Sequence, residues 1–235
     1  MTAGNTGALE ARWQVIQARA GGAAERAGRD PASVRIMAVT KTLDRAVVDQ
    51  AIELGIQHIG ENRVQEARAK FLDPPLGRHI TLHLIGQLQT NKARPAVGLF
   101  DVVGSVDRPP LVEALAREAE KQERRLSVLV QVNIAWEQQK AGCDPNELGA
   151  LVRQVQDTRS LELRGLMTIA PLTEDVESVR PVFRELRRLQ EALRASRPSV
   201  ELPELSMGMS NDLEVAVEEG ATLIRVGRAL FGERH

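Results

Sequence analysis

The sequence predicts an α/β fold: a single (β/α)₈ barrel of the TIM type spanning residues 1–235, with one extra helix at the N-terminus. Three observations carry this. Short apolar runs rich in β-branched residues alternate with stretches of helical period along the whole chain, the pattern of parallel strands joined by right-handed crossovers. The runs number eight, which favours a closed barrel over an open doubly wound sheet, the structural alternative. With 235 residues, 43% of them hydrophobic, the chain can bury one substantial core without disulfides or metals.

Residues 7 to 28 set Leu9, Trp13, Ile16 and Ala20 at helical spacing and end at Gly28, ahead of Asp30 and Pro31, so an amphipathic helix opens the chain. The strand runs follow as VRIMAVT (34–40), QHIG (57–60), ITLHLIG (80–86), DVVGSV (101–106), LSVLVQVNI (126–134), LELRGLMTI (161–169), VELPELSM (200–207) and TLIRVG (222–227). Helical patterns separate them at 45–55, 63–71, 109–122, 145–157, 176–195 and 211–220. FLDPPLGRH (71–79) reads as a loop, and no repeat or linker marks a domain boundary.

Composition excludes several classes. The 31 Lys+Arg and 32 Asp+Glu leave a net charge of −1, so there is no global footprint for nucleic acid or an anionic membrane, and any anion must be held locally. KQERR (121–125) and RELRRLQ (184–190) are mixed in sign or helical in pattern and read as solvated faces. No apolar run approaches the roughly 18 residues of a membrane span. The single Cys143 cannot form an internal disulfide, and the first residues lack a secretory pattern, so the cytoplasm is the expected compartment. The four histidines and the cysteine show no metal-ligand spacing, and no metal is assigned. There is no tyrosine, which excludes mechanisms that need a phenol. A complete barrel gives no reason to require a dimer, so a monomer is expected.

In such a barrel the working groups sit just after the C-terminal ends of the strands, with phosphate commonly held after strands seven and eight. Lys41 follows the first strand in AVTKT, where its amine would point into the mouth as a nucleophile. SMGMSND (206–212) follows strand seven and opens a helix that Ser210 would cap, with free N–H groups facing an anion. In IRVGRALFG, Gly227 permits close backbone approach and Arg225 projects inward from an apolar strand. Asn62 in GEN and His83 in HLIGQLQTNK lie near the same mouth, His83 reading better as a core hydrogen-bonding group. The plain alternatives are a solvated lysine, an ordinary N-cap, and an ion pair between Arg225 and a carboxylate such as Glu61.

Taken in order, AVTKT, GENRVQE, HLIGQLQTNK, RGLMTI, SMGMSND and IRVGRALFG cover nearly the whole chain and resemble the pyridoxal phosphate homeostasis proteins, the YggS/PROSC family. The resemblance implies a barrel like the N-terminal domain of alanine racemase, holding pyridoxal 5′-phosphate (PLP) as a Schiff base on Lys41. It implies that Ser210 and backbone around Met209, Gly227 and Arg228 bind the phosphate, with Ser206 nearby. It also implies that Arg225 faces the pyridine nitrogen and that Asn62 and Met167 line the site. Two details depart from the family's commonest wording, VTK in place of VSK and Asn211 after GMS, and neither touches Lys41 itself. Lys140, beside Trp136 in WEQQKAG, is a second candidate amine, with a surface role as the plainer reading.

An arginine at the pyridine nitrogen disfavours ring protonation and weakens PLP as an electron sink, so the family's implied role is to buffer or deliver PLP, with apo PLP-dependent enzymes as recipients. A two-base racemase would need a catalytic tyrosine and a second domain, neither of which this sequence has. The alternatives are a single-base racemase or transaminase using Lys41, or a barrel enzyme acting on a phosphorylated carbonyl compound.

Overall fold

In the computed structural model, which describes residues 3–135, 141–197 and 201–232, eight parallel strands close on themselves in chain order. They are β1 (Arg35–Val39), β2 (His58–Glu61), β3 (Thr81–Leu84), β4 (Val102–Val106), β5 (Leu126–Gln131), β6 (Leu161–Met167), β7 (Glu204–Ser206) and β8 (Leu223–Val226). Closure is made by β1 against β8, with Met37 opposite Arg225 and Ala38 opposite Val226. That pairing removes both sheet edges and disposes of the open doubly wound alternative.

Most strands are shorter than their sequence runs. LSVLVQVNI stops at Gln131, LELRGLMTI at Met167 and ITLHLIG at Leu84, and the residues beyond leave the ladder to build the barrel mouth. VELPELSM pairs only from Glu204, because Pro203 has no N–H for a ladder and Leu202 sits at φ +42.

The helices are α1 (Ala3–Arg26), α2 (Arg45–Glu53), α3 (Val64–Phe71), α4 (Ala93–Leu99), α5 (Pro109–Lys121), α6 (Leu148–Gln156), α7 (Arg180–Ser196), α8 (Leu213–Glu218) and α9 (Arg228–Phe231). The sequence reading has no counterpart of α4 or α9. Pro95 and Gly98 disguise α4, yet Pro95 falls in its first turn, where no intrahelical bond is lost. α9 is a single turn, too short to show a period.

The main core lies between strands and helices, with Phe71, Phe100 and Phe183 fully buried. A second apolar cluster, Val102, Leu129 and Met167, stands apart from it inside the barrel. Toward the N-terminal strand ends, His58 Nδ1 and His83 Nε2 lie 3.1 Å apart. Arg35 and Arg164 each reach Glu204 at 3.3 Å, so paired polar groups close that end. α1 packs across α8 and α9 and buries Leu9, Ile16, Ala20, Ala23 and Ala24. Among the described residues no helix is long and apolar enough to cross a membrane.

Candidate functional site

A cavity of about 840 Å³ opens at the C-terminal ends of the strands. Val39 and Lys41 enter it from β1, Asn62 from the loop after β2, and Gln131 from the end of β5. Met209, Ser210, Asn211 and Asp212 come from the loop after β7, and Arg225, Gly227 and Arg228 from β8 and the turn beyond it. Ile169, Pro171 and Leu172, from the segment after β6, add apolar surface to its lining. The Asn62 position depends on a close approach: a Cβ at Gly86 would stand 2.2 Å from the Asn62 backbone oxygen, so only glycine lets the two loops pass there.

Lys41 is half-buried, and its amine has no hydrogen-bond or ion-pair partner among the described residues. The backbone on either side is held instead. The Thr40 N–H donates to Gly60 O at 2.9 Å, and Thr40 Oγ1 donates to Glu61 Oε1 at 2.6 Å. Lys70 Nζ, from α3, donates to Thr40 O at 2.8 Å and to Glu61 Oε1 at 2.7 Å. The Thr42 N–H donates to the Glu66 carboxylate. Thr42 itself sits at φ +63, in the left-handed region, which costs a β-branched residue about 1–2 kcal/mol. The surrounding hydrogen bonds keep the chain in that strained turn.

Glu61 is fully buried, and desolvation pushes its carboxyl pKa up, while hydrogen bonds from Lys70 and Thr40 pull the other way. Its ion pair is with Lys70, so the pairing with Arg225 weighed from sequence does not form.

Arg225 is 4% exposed, and its Nη1 and Nη2 donate to Ser206 Oγ and Thr168 O, both at 2.8 Å. No carboxylate lies within ion-pair distance of it among the described residues. Burial lowers its pKa to about 10, with the Asp212 charge working in the opposite direction, so the guanidinium stays protonated at neutral pH. A desolvated cation bonded only to neutral groups still has capacity for an acceptor in the cavity it lines.

The loop after β7 turns at Gly208, whose φ is +90 and where a Cβ would meet the Ala216 side chain at 2.5 Å. Ser210 does not cap α8 as the sequence reading had it. The residue before α8 is Asp212, which accepts from the Met209 N–H, while Ser210 Oγ accepts from the Ala229 N–H at 3.2 Å, at the start of α9. The serine thus links the loops after β7 and β8. The N–H groups of Ser210, Asn211 and Arg228 have no acceptor among the described residues. From α1, Arg19 grips Glu214 with two hydrogen bonds, at 2.6 and 2.8 Å, and also donates to Ser210 O at 3.2 Å.

Of the residues singled out from sequence, Lys41, Asn62, Met209, Ser210, Arg225, Gly227 and Arg228 line one cavity. Ser206 and Met167 do not: Ser206 is buried beneath Arg225 as its acceptor, and Met167 belongs to the apolar cluster inside the barrel. His83 pairs with His58 at the other end, in keeping with its plain reading as a core group. Trp136 and Lys140 lie outside the described residues. Sequence reasoning missed Gln131, whose Nε2 donates to Ala141 O at 2.8 Å, although a glutamine inside the apolar run LSVLVQVNI was a usable signal. It also missed Lys70, which only the folded chain brings behind Lys41.

A family model described as alanine racemase, N-terminal domain, matches residues 5–235. A pyridoxal phosphate homeostasis protein of Aquifex aeolicus is 40% identical across 90% of this chain and 92% of its own length. Another, from Pseudomonas aeruginosa, is 42% identical across 93% of each. The chain belongs to the pyridoxal phosphate homeostasis protein family. Among solved structures resembling this homeostasis-family chain is PipY of Synechococcus elongatus PCC7942 with PLP bound. It is 39% identical, with a TM-score of 0.81, and the match covers 95% of this chain and all of PipY. Histidine racemase of Leuconostoc mesenteroides, 19% identical with a TM-score of 0.69 over 97% of this chain and 58% of its own, shares the barrel fold.

Proposed function

We propose that this chain binds PLP through Lys41 and holds it in reserve, buffering or delivering it in the cytoplasm as a monomer. One observation carries the reading: among the described residues, a single cavity contains both a lysine amine without a partner and a buried arginine without a carboxylate. A ligand with an aldehyde on one edge of an aromatic ring and an acceptor nitrogen in the ring meets both demands. The name of the family and the PLP bound in PipY support the reading.

The residues present fit such a ligand. The N–H groups of Ser210, Asn211 and Arg228, together with the first turn of α9, suit a phosphate. Asn62 suits a ring hydroxyl, and Arg225 suits the ring nitrogen. When bound, the aldehyde would condense with the Lys41 amine to a Schiff base with loss of water. Arg225 would keep positive charge beside the ring nitrogen and so oppose its protonation, which weakens the ring as an electron sink. That balance favours holding over turnover, and with no tyrosine in the sequence the phenolic base of a two-base racemase has no candidate.

The recipients in this account are apo forms of PLP-dependent enzymes. PLP-loaded protein mixed with such an apo-enzyme is expected to restore its activity with matching loss of visible absorbance from the donor. Sustained incorporation of solvent deuterium at an amino acid's α-carbon by this protein would replace the carrier reading with a catalytic one.

A further inference from the structure

We propose that Lys70, acting through Glu61 and Glu66, is a positioning residue that sets Lys41 for reaction with an aldehyde; the inference rests on the PLP reading above. Lys70 is not part of the cavity wall. It stands on α3, behind the turn that carries Lys41, with its side chain 7% exposed. Its ammonium meets three oxygens: Thr40 O at 2.8 Å, Glu61 Oε1 at 2.7 Å and Glu66 Oε1 at 3.5 Å. The two residues flanking Lys41 are each tied to one of those carboxylates, Thr40 through its hydroxyl to Glu61 and Thr42 through its N–H to Glu66.

The clamp therefore closes on both sides of Lys41, and the Lys41 amine itself has no partner among the described residues. A lysine needed only to neutralise a buried glutamate would not have to reach the Thr40 carbonyl or share an acceptor with the Thr42 amide. Thr42 stays at a positive φ, a conformation that persists where surrounding contacts over-determine it. A compact ammonium with three donors suits this convergence of oxygens, whereas a planar guanidinium does not. The Lys70 ammonium also lies over the Phe71 ring at 5.5 Å, a cation–π contact that adds to the same convergence.

The test separates positioning from mere support. Protein is mixed with a series of PLP concentrations and reduced with borohydride at timed intervals. Mass spectrometry of the Lys41 peptide then gives a maximal labelling rate and a half-saturating concentration. Affinity for pyridoxine 5′-phosphate, which carries an alcohol in place of the aldehyde, is measured in parallel by calorimetry. Lys70→Met and Glu66→Ala are expected to lower the maximal rate by about tenfold or more, as small misplacements of a reacting group do, with pyridoxine phosphate affinity within about twofold of the parent. Glu66→Gln, which keeps an acceptor for the Thr42 N–H, is expected to label at close to the parent rate. Parent-like rates in both disruptive variants would overturn the proposal, and so would parallel loss of rate and pyridoxine phosphate binding. If Lys70→Met does not fold, the Glu66 pair decides, since that side chain is partly exposed. Absence of label on Lys41 in the parent protein would instead remove the PLP reading on which the inference stands.

Discussion

At the scale of single residues, the site is defined by two cations treated in opposite ways. Among the described residues the Lys41 amine is left unengaged, while the backbone around it is fastened by Glu61, Glu66 and Lys70. Arg225 is fastened at the guanidinium itself, to Ser206 and Thr168, and among the described residues it is a buried charge without a carboxylate partner. The consequence for Arg225 is testable. If Arg225 meets the ring nitrogen as proposed, replacing it by methionine would remove a charge-assisted hydrogen bond worth about 1.5–3 kcal/mol, so PLP affinity should fall roughly 10- to 100-fold in an absorbance titration. The fold should survive, because losing a desolvated, unpaired charge offsets the two lost hydrogen bonds. Unchanged affinity would make the arginine a strut for β6 and β7 and nothing more. Neither treatment was legible in the sequence: Arg225 stood out as a charge inside an apolar run, but its partners come from residues 19 and 57 positions away.

Among the elements, β2 and β3 carry a device at the end of the barrel opposite the cavity. His58 and His83 share a hydrogen bond that requires one ring to accept, so the pair cannot hold it with both rings protonated. Burial lowers both pKa values, His83's strongly, with Arg35 adding to the effect. In the unfolded chain both rings protonate near pH 6.5, whereas the folded chain keeps them neutral to lower pH. The unfolded state then binds more protons, and stability must fall as pH drops below about 6.5, by up to about 1.4 kcal/mol per pH unit for each ring kept neutral. Above that pH the pair has no further effect. Urea unfolding between pH 7.5 and 5.5 should show this decline, and His83→Leu should flatten it; an equal decline in the variant would assign the effect to other groups. The element scale is also where the sequence misled. Ser210 looked like the cap of its own helix, yet it accepts from the start of α9, because capping by sequence proximity lost to the meeting of two loops in space.

For the whole molecule, the barrel was readable because its signals are local and repeated: eight β-branched runs, each followed by room for a helix. Closure was not local, since it depends on β1 meeting β8 across nearly the full chain. The same distance applies to the site, whose wall draws Lys41 from the first strand and Arg225 from the last. α1 extends this logic, running over α8 and α9 while Arg19 reaches the Ser210 carbonyl, so the extra helix buttresses the loops that would hold phosphate. The central claim is that these distant pieces converge on one amine. Borohydride reduction of the protein with PLP, followed by peptide mass spectrometry, measures this most directly. A single pyridoxyl group on Lys41, lost together with the visible absorbance in Lys41→Ala, is the expected result; label spread over other lysines, or retained absorbance in the variant, would contradict the account.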